Sequence, residues 1–132
     1  MNARRIRHAL LAATAGAAFA LAHVATAAPQ ERAKDEIDHL LQYVAASPCT
    51  FIRNGSEYPA DKARDHLADK YRFVGNRIST AEDFIAYLAT KSSLSGEPYH
   101  VHCGKNDALS GAWLTSELNR YRQAPHLQRV SR

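Results

Sequence analysis

The chain has little of what usually betrays chemistry in a sequence. Its 132 residues hold only two cysteines, Cys49 and Cys103. There is no CxxC, no HExxH and no histidine pair besides His100-x-His102, so no ready-made zinc motif is present. No G-x-S-x-G occurs, which removes the strained elbow that presents a serine nucleophile. After residue 27 there is no long apolar run, no repeat and no low-complexity tract.

The single apolar run is Ala9 to Val24. It follows the basic start Arg4-Arg5-Ile6-Arg7 and closes on the small residues Ala25-Thr26-Ala27. It is interrupted by Gly16 and His23 and falls short of the ~20 residues of a stable membrane span. It reads as a secretory signal peptide over 1–27, cleaved after Ala27, because a later cut would put Pro29 at the new terminus. No cysteine follows the junction to carry a lipid. Of 17 Lys+Arg, three leave with the signal, so 14 face 13 Asp+Glu and the mature net charge is about +1. The basic pI of the whole chain is therefore a property of the leader. No clustered basic stripe remains to recommend a nucleic-acid partner, and no span remains for a membrane.

Residues 28–132 are enough for one small domain with a modest core. In the oxidising compartment that a signal implies, Cys49 and Cys103 are expected to form one disulfide. A helix is expected from Glu31, with Ala33, Ile37, Leu40, Leu41 and Val44 on one face, stopping at Ser47-Pro48. His39 on it is expected to be solvated. Cys49–Arg53 and Ser56–Tyr58 read as a hairpin around Asn54-Gly55. Cys49 and Phe51 point to one side, Thr50 and Ile52 to the other. Ala60 to Asn76 reads as a second helix, with His66 and Lys70 one turn apart at the border of its apolar face. Ser79 and Glu82 look like a capping box. The helix they open carries Ala81, Phe84, Ile85, Leu88 and Ala89 inward and ends near Lys91 to Ser93. Pro98 to Cys103 reads as a third strand with Tyr99, Val101 and Cys103 on the core face. Gly104 to Asp107 reads as loop, Ser110 as the cap of a last helix, and Pro125 as its stop. The order α-β-β-α-α-β-α closes most simply as an α+β domain: a small, mostly antiparallel three-stranded sheet packed with about four helices.

The stretch Ser92 to Cys103 is densest in groups that bind or react. His100 and His102 could share a metal only if His66 or a carboxylate converged on them, so no metal and no other cofactor is expected. A Ser/His pair for hydrolysis would draw on Ser93 or Ser95 with His66 or His100, but serines before a Gly are ordinary turn chemistry. No paired carboxylates sit in an apolar setting fit for glycosidic hydrolysis. Binding asks less of the sequence. The Ser/Gly turn offers hydrogen bonds, and Tyr99 and Tyr58 offer rigid amphipathic surface. Ser95-Gly96-Glu97-Pro98-Tyr99 also fits the Ser-Gly-x-x-Tyr string of secreted lysozyme inhibitors, although those are β-barrels.

A longer ordered set of motifs carries a closer resemblance. Phe51-Ile52-Arg53-Asn54-Gly55, then Ala63, His66-Leu67 and Lys70, then Arg77-Ile78-Ser79-Thr80-Ala81-Glu82-Asp83-Phe84-Ile85, then Ser92-Ser93-Leu94-Ser95-Gly96-Glu97-Pro98-Tyr99-His100-Val101 together resemble the YfeK-like family of small exported bacterial proteins, a domain of unknown function. The resemblance implies a periplasmic domain and no particular reaction.

The expectation is thus an exported periplasmic binding or protein-interaction module. Its partner would be a periplasmic protein or a cell-envelope ligand, and its surface His66, Lys70, Ser93, Ser95 and Tyr99, with no catalytic residue. A small Ser/His hydrolase and an inhibitor of a cell-wall hydrolase are the alternatives. On the first reading Tyr99→Ala should weaken capture of a partner and leave the fold intact.

Overall fold

The computed structural model describes residues 27–124. The segment read as a signal, up to residue 26, and the helix stop expected at Pro125 lie outside the described residues.

Helix α1 runs Ala27–Ala46, four residues longer at its start than the apolar periodicity predicts. Pro29 fits there because the N–H groups of a first turn have no intrahelical partner to lose. Ala33, Ile37, Leu40 and Val44 recur along one face and are all buried. The hairpin β1 (Thr50–Arg53) and β2 (Ser56–Tyr58) turns at Asn54 (φ +50°) and Gly55 (φ +76°), the paired positive φ values of a two-residue hairpin. Helix α2 spans Ala60–Val74. A short α3, Ala81–Phe84, continues directly into a π-helical turn, Ile85–Ala89. Strands β3 (His100–Cys103) and β4 (Asn106–Leu109) and helix α4 (Ser110–Gln123) complete the described chain.

The sheet is antiparallel throughout, in the order β2-β1-β3-β4. It has four strands, one more than the sequence suggests. The extra strand takes up the second half of the stretch read as loop, Asn106 and Asp107, and runs on to Leu109. Gly104 (φ +64°) opens a tight turn, and Asn106–Leu109 folds back on β3, with Val101 opposite Ala108. Asn-Asp-Ala-Leu has neither β-branched nor aromatic residues, so its strand character comes from its neighbour and not from its own preference.

Phe51 lies opposite Val101, and both are buried under the helices with Leu67, Phe84, Leu88, Leu114 and Leu118. Each such side chain contributes ~1.5–3 kcal/mol when taken fully from water. Thr50, Ile52, His100 and His102 share the opposite, less buried face. The inner face also holds the Cys49–Cys103 disulfide, Cα atoms 4.5 Å apart and 54 residues apart in sequence. It joins the N-terminal approach to β1 to the end of β3, the neighbouring strand that pairs with it.

The capping box sits one residue later than the sequence suggests. Thr80 Oγ1 accepts from Asp83 N at 3.0 Å, and Asp83 Oδ2 accepts from Thr80 N at 3.2 Å. Glu82 is turned instead toward Arg122, which also donates twice, at 2.8 Å, to the buried carboxylate of Glu36. Those bonds hold the Glu36 carboxyl below 4.5 against the upward push of burial. Ser110 does not cap α4. It is the first residue of that helix and is buried, and its N–H donates to Tyr99 O at 2.9 Å. The strand β4 runs into α4 without a loop, so no capping position is left to it. His39 is not solvated either. It stacks on Tyr121, ring centroids 3.8 Å apart, and its Nε2 lies 2.6 Å from Oε1 of the buried Glu117.

Candidate functional site

Alternation along the strands gathers the site. Tyr58 lies opposite Phe51, so both face the helices. Arg53 is two residues past Phe51 and Tyr99 two before Val101, which puts them on that same face. Helix α2 crosses this end of the sheet and adds His66 and Lys70 from successive turns. The result is a cluster of Arg53, Tyr58, His66, Lys70 and Tyr99.

Tyr99 is its centre. The side chain is 7% exposed, and its hydroxyl is 3.3 Å from Lys70 Nζ and 3.3 Å from His66 Nε2. An ammonium can only donate, so the Tyr99 oxygen accepts from Lys70 and its own O–H is left to donate to His66. Lys70 is held more tightly elsewhere: Nζ donates to Leu88 O at 2.8 Å. Leu88 lies in the π-helical turn, and Lys70 thereby satisfies one of the carbonyls such a turn leaves over. Arg53 lies between two rings. Its Nη2 donates to Tyr58 OH at 3.2 Å. Its Nη1 is 3.0 Å from His66 Nδ1 and 3.1 Å from Nε2. No in-plane position is that close to both ring nitrogens without striking the carbon between them, so Nη1 sits over the imidazole face.

The electrostatics follow from this crowding. Burial, then Arg53 and then Lys70 push the His66 pKa below 6.5. Burial and Arg53 lower that of Lys70. Burial raises that of Tyr99. At neutral pH His66 is thus an uncharged ring beside the Arg53 cation. In front of the cluster is a cleft of about 410 Å³ lined by Phe51, Ile52, Arg53, Tyr58, Ala63, His66, Leu67 and Tyr99, with Lys62, Asp65 and Asp69 at its rim and Ser110 also in its wall. Lys70 does not line it; it stands behind Tyr99.

The Ser-rich turn goes elsewhere. Ser95 Oγ donates to Asn54 Oδ1 at 2.5 Å, and Asn54 Nδ2 donates to Ser92 Oγ at 3.5 Å. Ser92 is buried, and its Oγ also accepts from Ser95 N at 3.3 Å. Gly96 (φ +75°) closes the loop through its N–H to Ser92 O at 3.0 Å. The turn is a clamp on the hairpin tip. Ser93 is exposed, and neither it nor Ser95 hydrogen-bonds to His66. Of the five residues expected to share one surface, the fold therefore unites His66, Lys70 and Tyr99 and sets Ser93 and Ser95 apart. Tyr99, buried as it is, is not a protruding anchor.

The expected surface did not include Arg53, and Tyr58 entered only as amphipathic contact area beside Tyr99. Their signal was available: both fall in phase with Phe51 once the Asn-Gly hairpin fixes the register. His102 Nε2 lies 2.7 Å from Asp107 Oδ1 on β4, and among the described residues no three His, Cys, Asp or Glu side chains converge as metal ligands. No helix among the described residues is long and apolar enough to cross a membrane.

Comparison with known proteins agrees with the motif string. The uncharacterized protein YfeK of Salmonella typhimurium is 46% identical over 50 residues, which is 38% of this chain and 42% of that protein, so the match spans less than half of the relative. No solved structure matches. Residues 31–122 match a family of unknown function, DUF5329, and this covers every described element from the body of α1 to the last turn of α4. The chain therefore belongs to the DUF5329 family.

Proposed function

We propose that this is a non-catalytic binding module, exported to the periplasm, whose site is the cleft between the β1–β2 hairpin and α2. One observation carries the reading. The cleft joins an apolar wall (Phe51, Ala63, Leu67) to polar groups that converge from both strands of the hairpin, from α2 and from the approach to β3 (Arg53, Tyr58, His66, Tyr99). That combination is how small-ligand sites are usually built. Reaction chemistry has less support, because His66 finds a phenol and a guanidinium beside it, Ser95 is spent on the hairpin and Ser93 is exposed on the turn, without a hydrogen bond to His66.

The test uses the protein recovered from the periplasm of an expressing host. Its thermal unfolding is followed with and without fractionated small molecules of a periplasmic extract. A fraction that binds the native state raises the midpoint, and the rise should vanish in Tyr58→Ala, which trims the cleft wall and leaves the Tyr99 junction in place. A serine-directed fluorophosphonate probe is run in parallel. Stoichiometric labelling abolished by His66→Ala would overturn the reading in favour of a hydrolase. So would a midpoint shift that Tyr58→Ala leaves unchanged, by moving the site off the cleft.

A further inference from the structure

We infer that the cleft takes an oxyanion, a carboxylate or phosphate group carried on an apolar body, with Arg53 as the residue that receives the charge. The inference rests on the binding reading above and adds the class of ligand.

It begins from unbalanced charge. Among the described residues four Arg or Lys side chains are half-buried: Arg53, Arg64, Lys70 and Arg122. Arg122 is neutralised by Glu36 and Glu82. Arg64 Nε lies 2.8 Å from Asp65 Oδ1, an ion pair without hydrogen-bond alignment. Arg53 and Lys70 have partners too, but every one is neutral: Tyr58, His66, Tyr99 and the carbonyls of Leu88 and Lys91. No ion pair among the described residues includes either cation. Taking charge partly out of water without a counter-ion is costly, and the repulsion between Arg53 and Lys70 adds to the cost. A protein that only needed a brace here could use neutral groups.

The nearby acids offset this field only in part. Asp69 pairs with Arg72 and Asp65 with Arg64, and both carboxylates are exposed. Lys62 adds a third cation at the rim. Lys70 contributes field from behind Tyr99 and is not itself a contact. Arg53 lines the cleft, and its planar fork suits a carboxylate or a phosphate. Tyr58 OH and His66 are the neutral groups that can complete the oxyanion's hydrogen bonds. Phe51, Ala63 and Leu67 are the wall against which an apolar body would lie.

The experiment is an NMR titration of the ¹⁵N-labelled protein recovered from the periplasm, with four probes of matched shape. They are 4-phenylbutyrate, 3-phenylpropyl phosphate, the uncharged 4-phenylbutyramide and the cationic 3-phenylpropylamine. The two anions should shift the Arg53 side-chain N–H and the amides of β1 and α2. They should bind at least about tenfold more tightly than the amide, the ratio that one charge-assisted hydrogen bond supplies, and Arg53→Gln should remove that preference. The carboxylate-to-phosphate ratio then tells which oxyanion the site favours. Equal binding of anion and amide at the cleft would overturn the inference and leave the binding module standing. Anion shifts that survive Arg53→Gln would overturn it as well. So would the absence of any shift, in which case the binding reading is judged on its own thermal test.

Discussion

Tyr99 is the residue where brace and contact surface can be told apart, and the two substitutions there should behave very differently. Tyr99→Phe keeps the buried ring and removes only the hydroxyl. What is lost is one bond from an ammonium and one to an imidazole, both 3.3 Å long, while Lys70 keeps its 2.8 Å bond to Leu88 O. Net hydrogen-bond contributions of ~0.5–1.5 kcal/mol, at the low end for long bonds, put the cost at ~1–2 kcal/mol. Tyr99→Ala also empties the ring's place in the core, for which aromatic-to-alanine changes cost ~3–5 kcal/mol. That is a large share of the ~5–15 kcal/mol by which a domain is stable. The expectation that Tyr99→Ala spares the fold is therefore revised. It took Tyr99, on the core face of its strand, to be a contact residue as well, and the structure buries it almost completely.

Urea unfolding by circular dichroism separates the cases. With a slope of ~1–3 kcal/mol per molar, the ~1–2 kcal/mol cost of Tyr99→Phe should lower the midpoint by roughly 0.3–2 M. Tyr99→Ala should lower it at least twice as far, or leave the protein unfolded. An alanine variant no less stable than the phenylalanine one would refute the placement of the ring in the core. A phenylalanine variant as stable as the parent would refute the hydroxyl as the junction of α2 with the sheet.

Three further outcomes follow from the same geometry. The His66 pKa is lowered on folding, so an unfolded chain binds the extra proton first. The contribution of His66 should be fully present above its unfolded value of 6.5 and be lost as pH falls from there toward its folded value; His66→Asn should flatten thermal stability between pH 6.5 and 5 relative to the parent, and identical pH profiles would refute it. Glu36→Gln leaves Arg122 with only the exposed Glu82, and its cost should fall between the ~0.2–1 kcal/mol of exposed pairs and the ~3–5 kcal/mol of breaking a buried one, which a chemical-denaturation series measures. The non-reduced intact mass should lie two hydrogens below the dithiol value, and Cys49→Ala/Cys103→Ala should lose ~3–4 kcal/mol, the chain-entropy contribution of a loop of 54 residues; a double variant as stable as the parent would count against that account.

Much of this protein was decided by its local sequence. The α1 face, the Asn-Gly hairpin, the inward set Ala81, Phe84, Ile85, Leu88 and Ala89, and the core side of the third strand were all legible. Each rests on a period or a turn that neighbouring residues enforce by themselves. His66 and Lys70 were legible as border residues for the same reason, since four positions on a helix make one turn. What the sequence could not decide depends on residues far apart in the chain. Asn106–Leu109 becomes a strand because β3 offers it a ladder. His39 is hydrogen-bonded because Glu117, 78 residues away, arrives beside it on α4. The Ser-rich turn looked reactive because its hydroxyls are dense, and only the fold shows that Asn54, 41 residues earlier, takes up Ser95. Arg53 and Tyr58 became the polar face of a cleft when the hairpin register aligned them and α2 was laid across the sheet end. Periodicity is a property of neighbours, whereas charge balance and hydrogen-bond closure belong to the packed whole.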